Sequence, residues 1–320
     1  ESTGYPVLTF TAEGAGNTQQ VTLTRLQGDS AQGSFKSSGE FAWAPALKWR
    51  LQAGVDAFDP AFFTPDWPGN VSFRLDTDGH QTEQGLQGAL NVADVAGSLR
   101  GQAVSGKASA SFLDDTVTVS QSQFVMGAAQ LSASGSVSNA WNMQWSVNAP
   151  DLARLLPNAG GSLQGQGRVT GPRALPHVTA TLDGKQLRLQ GSRVNTVTAR
   201  VDVDMAGQQV SVVDIKAAGV SAGGQAIDSV TLAADGRMAA HTLRFSAQQD
   251  KRQLTGRINA GLVDKRWAGA LEELQLMLSA EEAWTLQKPA KFDLGQSRGE
   301  LQALCLSNAG ANICAHGDWQ

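Results

Sequence analysis

The sequence predicts an all-β protein with mostly antiparallel strands, and three observations lead to this fold class. Apolar and polar residues alternate within short segments such as 197–203 and 243–247, so each segment presents one apolar face as a strand. Glycine accounts for 35 of the 320 residues and interrupts these segments, as tight turns require. No helical pattern of ten residues separates successive segments, so antiparallel pairing is expected rather than βαβ units.

The predicted strands share this alternation, and we expect lengths of five to ten residues, although the alternating segment that marks a strand is in places only three or four residues long. In chain order they include 7–12, 21–26, 47–53, 71–75, 86–92, 117–119, 131–137, 143–147, 178–182, 187–189, 197–203, 210–213, 230–233, 243–247, 254–258, 274–278 and 292–294. The segment 271–284 has a composition that also favours a helix, but the alternation of Leu274, Leu276 and Leu278 favours a strand.

A weak internal repeat is centred on Trp49 and Trp145. In both copies an alternating strand is followed by a short apolar segment near a proline, a glycine turn and another alternating strand. We expect each apolar segment to form one short helical turn, because prolines bound or interrupt it and its apolar residues have helical spacing. We expect two segments, 1–159 and 160–320, in one continuous structure; the prolines within 171–176 are the strongest interruption of the pattern.

Composition and charge exclude several function classes. Charged residues make up 17% of the chain, hydrophobic residues 41%, and the net charge is −4. Basic residues do not cluster, so we expect no nucleic-acid partner. No run of about 18 apolar residues and no signal peptide is present. The opening Glu1 and the ending in mid-pattern lead us to expect a piece excised from a longer protein.

No residue pattern predicts catalysis, a metal site or a cofactor. The four histidines are scattered and lack partners at metal-ligand spacing. The glycines within 165–171 are misplaced for a dinucleotide loop, and a strand pattern follows them. The sequence Asp76-Thr-Asp78-Gly79 lacks the glutamate of a calcium loop, so a hairpin turn is expected there. Asp202 and Asp204 alternate with valines, and we expect solvated carboxylates on a polar strand face.

Cys305 and Cys314 are the only cysteines of the chain. The turn-forming sequence Ser307-Asn-Ala-Gly310 lies between them, so two paired strands would bring the thiols together. The spacing alone leaves both a disulfide and two free thiols open.

The order of several motifs resembles the TamB family, in particular its C-terminal portion. The motifs are Asn195–Asp204, Gly223–Leu232, Asp235-Gly236 with Ala240-His241, Arg266–Gly269, Trp284–Pro289, and Cys305 through Cys314 to Trp319. The segments Asp56–Gly69 and Asp151–Gly161 are also similar to elements of that family.

The resemblance implies a fold, a location and a set of partners. The fold would be an elongated sheet folded into an open, apolar trough, the β-taco of AsmA-like proteins. The function would be phospholipid transport between the inner and outer membranes of a Gram-negative bacterium. The family is also tied to a TamA-type outer-membrane barrel and to assembly of outer-membrane β-proteins and autotransporters. It further implies a Cys305–Cys314 disulfide in the periplasm, and a parent protein anchored in the inner membrane by a segment that is absent here.

The sequence leaves two working surfaces open for such a protein, the face and the edge of the sheet. A closed core and an open groove both need one apolar face; the lack of covering elements favours the groove. Inward apolar residues would then contact acyl chains, although each is also an ordinary core residue of a β-protein. The candidates are Leu8, Phe10, Phe73, Leu75, Trp145, Val201, Val203, Leu243, Phe245, Leu274 and Leu276. Under the alternative, a chaperone-like scaffold, open edges would pair with client strands. A carbohydrate-binding or adhesin function is disfavoured by the single tyrosine and by tryptophans at alternating apolar positions.

Overall fold

The computed structural model describes residues 9–319 and confirms the all-β fold class. These residues form 22 strands and two 3-10 helices. The first ten strands are β1 (Thr9–Gly16), β2 (Gln20–Ser30), β3 (Gly33–Ala42), β4 (Lys48–Phe58), β5 (Gly69–Gln81), β6 (Leu86–Leu99), β7 (Gln102–Leu113), β8 (Thr116–Met126), β9 (Ala129–Val137) and β10 (Ala140–Ala149). The remaining strands are β11 (Ala159–Pro172), β12 (His177–Leu189), β13 (Ser192–Asp204), β14 (Ser211–Ala222), β15 (Gln225–Arg237), β16 (Ala240–Gln249), β17 (Arg252–Val263), β18 (Arg266–Met277), β19 (Ala283–Leu286), β20 (Ala290–Leu294), β21 (Gly299–Asn308) and β22 (Ala311–Trp319).

The chain divides into two compact units, Glu1–Pro157 and Asn158–Gln320. In the first unit every strand from β1 to β10 pairs antiparallel with the next strand in sequence. In the second unit β11 to β18 follow the same rule. Each unit is therefore a meander, as expected when short turns join alternating strands.

Many strands are longer than the predicted five to ten residues. The longest, β6 and β11, contain 14 residues. Bulges explain the difference, because an extra residue in one strand shifts the alternation and makes one long strand look like two short ones. Gly97 lies next to such a shift with φ of 126°, and a Cβ atom there would collide with the carbonyl oxygen of Asn70. Only glycine fits this backbone conformation without strain.

The prediction of a hairpin turn at Asp76–Gly79 is wrong, because these residues lie inside β5. Asp76 and Asp78 point to the polar face, and the glycine has a packing role. A Cβ atom at Gly79 would collide with the indole ring of Trp49 on the neighbouring strand. The sequence pair Asp-Gly thus marks a close approach of a side chain to the backbone and not a turn.

The two predicted helical turns are confirmed as the 3-10 helices Pro60–Phe62 and Leu152–Arg154. Aspartates cap both: Asp59 accepts a hydrogen bond from Ala61 N at 3.0 Å, and Asp151 accepts one from Ala153 N at 3.1 Å. Such capping satisfies backbone donors that have no partner within the helix. An aspartate-capped 3-10 helix thus follows both β4 and β10, the strands that carry Trp49 and Trp145.

The end of the second unit contains an interrupted strand. β18 pairs with both β19 and β20, which occupy one place in the sheet and are separated by a segment with a proline at position 289. The predicted strand character of segment 271–284 is confirmed by β18 and β19. Cys305 and Cys314 face each other across β21 and β22 and form a disulfide with an S–S distance of 2.04 Å. The pairing implied by the family resemblance is therefore present.

Candidate functional site

The first unit separates apolar from polar side chains by face. Residues that are directly paired share a face, so the pairing register gives rows of neighbours that cross all the strands. Three successive rows of one face carry no charge, and their only polar residues are Ser37, Thr77 and Ser122. The rows are Val21, Phe41, Trp49, Gly79, Gly88, Phe112, Val117, Val137, Trp141; Leu23, Gly39, Leu51, Thr77, Leu90, Ala110, Val119, Gly135, Met143; and Leu26, Ser37, Ala53, Leu75, Val92, Ala108, Ser122, Ala133, Trp145.

The second unit shows the same separation, and three of its rows contain no polar side chain. They are Gly167, Ala180, Val201, Val213, Ala234, Leu243, Ile258, Leu271, Ala290; Gly165, Leu182, Ala199, Ile215, Leu232, Phe245, Gly256, Leu274; and Leu163, Gly184, Val197, Ala217, Val230, Ala247, Leu254, Leu276, Trp284. We call the side of each sheet that carries these rows the apolar face, and the opposite side the polar face.

The polar faces carry charged side chains, several of which form ion pairs with a residue of the neighbouring strand. In the second unit Arg257 pairs with Glu273, which raises the pKa of the guanidinium and lowers the pKa of the carboxylate through their shared hydrogen bond. Arg244 pairs with Asp235 at 2.5 Å on the same face. In the first unit the hydroxyls of Ser132 and Ser146 are hydrogen-bonded at 2.7 Å. These contacts join neighbouring strands on the face opposite the apolar rows.

The apolar faces are not covered by other described residues. Among residues 9–319 no large side chain is fully buried, and the buried hydrophobic residues are Ala149, Ala260, Leu271 and Ala290. The accessible surface of the chain is 20072 Å² for a mass of 33.6 kDa. A compact monomer of this mass would expose about 12,700 Å². The apolar side chains thus remain in contact with solvent and do not form a closed core.

Several apolar-face residues of the first unit are strongly exposed. Leu131 is 50% exposed and Val117 is 45% exposed. Phe124 and Leu90 are exposed by 38% and 39%. Exposed apolar surface of this extent marks an interaction site or an aggregation hazard.

Two indole N–H groups on the apolar faces have hydrogen-bond partners on the same face. In the first unit Trp49 Nε1 donates to Thr77 Oγ1 at 3.1 Å, and that hydroxyl donates to Ala89 O at 2.9 Å. In the second unit Trp267 Nε1 donates to His241 Nε2 at 3.0 Å, so the imidazole proton lies on Nδ1, which faces Arg237 O. These indoles therefore contribute apolar rings without an unpaired donor.

A pocket of about 270 Å³ lies on the apolar face of the second unit. Val203, Val213, Ala234, Leu262 and Trp267 are among its lining residues. Ser211, Asp235 and His241 also line it, and each is engaged: the Ser211 hydroxyl accepts from Asp204 N, Asp235 pairs with Arg244, and His241 Nε2 accepts the Trp267 indole N–H. The apolar walls can contact hydrocarbon.

The carboxylates that the sequence places between valines are not simply solvated. Asp204 is 6% exposed and accepts hydrogen bonds from the backbone N–H groups of Gln209 and Ala206 at 2.7 and 3.1 Å. These bonds, led by Gln209, lower the pKa of Asp204. Asp202 lies 2.5 Å from His177 Nε2. The expectation of solvated carboxylates is therefore wrong for Asp204, which organises the turn between β13 and β14.

The structure places the described sequence candidates on the apolar faces. Leu8 lies outside the described residues. Phe10 is opposite Gly28 and 66% exposed, and Phe73 is opposite Val55. Val203 is opposite Val178. The other candidates belong to the rows above: Leu75, Trp145, Val201, Leu243, Phe245, Leu274 and Leu276.

Sequence reasoning missed part of the apolar face. Phe112, Phe124 and Leu131 face the same side as the candidates, and Trp49 was recognised only as the centre of a repeat. Bulges shift the alternation within β7 and β8. A glycine lies opposite each of the two phenylalanines on the neighbouring strand, Gly88 opposite Phe112 and Gly106 opposite Phe124. A glycine within an alternating segment is therefore the sequence signal that could have indicated an aromatic side chain packed against it.

Other kinds of site lack support in residues 9–319. No group of three or more His, Cys, Asp or Glu side chains there could hold a metal ion. In the same range no helix has the length and apolar character needed to cross a membrane.

Comparisons with known proteins indicate the same family as the order of the sequence motifs. Residues 1–320 match the family model described as "TamB, N-terminal domain". The Haemophilus influenzae protein "Translocation and assembly module subunit TamB" is 25% identical over 306 residues, covering 93% of this chain and 23% of that relative. The chain thus spans less than a quarter of the relative's length. The matching model is described as N-terminal, so it does not support assignment to the C-terminal portion. No solved structure matches the chain.

Proposed function

We propose that this chain, which belongs to the TamB family, is a non-enzymatic part of a periplasmic bridge that carries phospholipid between the inner and outer membranes. The observation that carries the proposal is the uncovered apolar face of each unit, with charge-free rows and no fully buried large side chain among residues 9–319. The relative is a translocation and assembly module subunit, which agrees with a role in the cell envelope.

Acyl chains are physically suited to these faces. Each CH₂ group that leaves water contributes about 0.8 kcal/mol to binding. The apolar rows of the second unit offer only hydrocarbon, as in the row from Gly165 to Leu274. Without directional contacts, successive positions bind a chain with similar strength, and the chain can move along the face. The phosphate head group would remain in water, because the rows contain no charged side chain that could replace its hydration.

A photoactivatable phospholipid with a diazirine in its acyl chain tests the proposal. We expect the wild-type chain to be labelled, and Phe245→Glu to lose most of the labelling of the second unit because it puts a carboxylate into a charge-free row. Gln248→Glu is the matched control, since it places the same charge on the polar face of the same strand, β16. Circular dichroism would verify that both variants fold. Undiminished labelling of Phe245→Glu would contradict the proposal.

The second candidate function is a scaffold that works with a TamA-type outer-membrane barrel to assemble outer-membrane β-proteins or autotransporters. It is favoured by the name of the relative, which includes translocation and assembly. This function would use strand edges, where main-chain groups can pair with a client strand. It predicts that Phe245→Glu leaves client binding unchanged, so the same variant separates the two functions.

A further inference from the structure

Two aromatic rings in the first unit lie close together and parallel on the apolar face, each against a glycine of the neighbouring strand. The rings of Trp49 and Phe112 lie in nearly parallel planes, with an interplanar angle of 8° and centroids 6.0 Å apart. They belong to strands β4 and β7, and the two intervening positions of their row are Gly79 and Gly88. The rings therefore extend toward each other across two strands that carry no side chain at this row.

The glycines hold the rings down on the sheet. A Cβ atom at Gly79 would collide with the indole, and one at Gly88 would lie 2.6 Å from Phe112 Cζ. Any other residue at either position would thus lift or tilt a ring. Thr77 fixes the indole within the plane of the face, because its hydroxyl accepts the indole N–H at 3.1 Å.

The surroundings of the ring pair point to one kind of occupant. The adjacent row carries Leu51, Leu90 and Ala110, and neither row carries a charge. The indole N–H and the hydroxyl that accepts it are already paired. A head group or a peptide backbone would lose its hydrogen bonds to water here without replacement, whereas a hydrocarbon chain would not.

We infer that the Trp49–Phe112 pair is a discrete contact site for a phospholipid acyl chain, and that Thr77, Gly79 and Gly88 are its positioning residues. This inference rests on the proposed function and adds a location to it. An alkyl chain lying across the pair contacts both rings at once. If one ring is tilted, its edge becomes an obstacle and part of that contact is lost.

Site-specific photocrosslinking in the 320-residue chain tests the inference. A benzophenone amino acid replaces Leu90, which is 39% exposed beside the ring pair, or in a second protein Leu131, which is 50% exposed elsewhere on the same face. The probe is phosphatidylethanolamine in detergent micelles. Each reporter is combined with Gly79→Ala and with the control Gly54→Ala, because a Cβ atom at Gly54 meets nothing within 4 Å.

We expect Gly79→Ala to lower crosslinking at the Leu90 reporter by about two- to tenfold, the range in which one well-placed aromatic contact changes an equilibrium. The Leu131 reporter and both Gly54→Ala proteins should retain wild-type crosslinking. Thr77→Val, which keeps the side-chain shape and removes the acceptor of the indole N–H, should act like Gly79→Ala and serves if that variant fails to fold.

The outcomes separate the two proposals. If neither reporter crosslinks to the lipid in the wild-type background, the proposed function fails. If both reporters crosslink and neither Gly79→Ala nor Thr77→Val lowers the signal at Leu90, the ring-pair site is refuted while the proposed function stands.

Discussion

A single charge on the apolar face of the first unit is expected to weaken acyl-chain binding strongly. Leu131 lies between Phe124 and Val147 in its row and is 50% exposed. Complete burial of a leucine side chain contributes roughly 1.5–3 kcal/mol, so a ligand that covers the exposed half gains about 0.8–1.5 kcal/mol. That gain corresponds to about a four- to twelvefold difference in Kd. Leu131→Glu loses it and also forces a carboxylate away from water, so the loss should exceed about tenfold.

The matched control for this variant is Gln130→Glu, which adds the same charge on the neighbouring residue of β9. Gln130 is exposed and pairs with Val125 and Asn148 on the opposite face. The assay is titration of each chain with a phospholipid that carries a pyrene-labelled acyl chain, followed by the pyrene emission. Gln130→Glu should bind like the wild type. Equal Kd values for the two variants would refute the assignment of acyl chains to the apolar face.

Three further predictions concern stability and packing. Replacing Cys305 and Cys314 together by serine should destabilise the β21–β22 hairpin by about 2–3 kcal/mol, since the bond closes a short loop with a sequence separation of 9, and amide hydrogen exchange of these strands measures it. The lowered pKa of Asp204 means that its carboxylate stabilises the fold above its ordinary pKa of 3.8 and that this contribution disappears as the pH falls through the lowered value. Asp204→Asn should therefore lower the urea midpoint at pH 7 and show a smaller further decrease at acidic pH than the wild type; an equal decrease would contradict this role. Gly256→Ala places a Cβ atom against an aromatic ring and should cost about 1–3 kcal/mol in urea unfolding, whereas Gly54→Ala, with open space around it, should not.

The sequence was sufficient for the fold class because alternation is a local property of each strand. The segments around Val201 and Phe245 show it without interruption, and both lie on the apolar face. The 3-10 helices after β4 and β10 were also predictable, since each has an aspartate cap and apolar residues at helical spacing.

Bulges and long-range packing limited the rest of the prediction. The pairing of Ser109 with Gln121 is followed by a register shift, so alternation read along β8 does not give the face of Phe124. Gly79 could not be assigned because the reason for the glycine is Trp49, 30 positions earlier in the sequence. In the sequence Asp204 cannot be distinguished from a solvated aspartate of the polar face. Its role depends on the backbone N–H groups of the following turn, which donate hydrogen bonds to its carboxylate.

The most direct test of the central claim is native mass spectrometry of the 320-residue chain purified without detergent, together with solvent extraction of the same sample. An apolar face that is uncovered by the described residues should retain phospholipid, which would appear as mass adducts and be identified in the extract. A folded, monomeric chain without any phospholipid in either measurement would contradict the claim that these faces bind acyl chains.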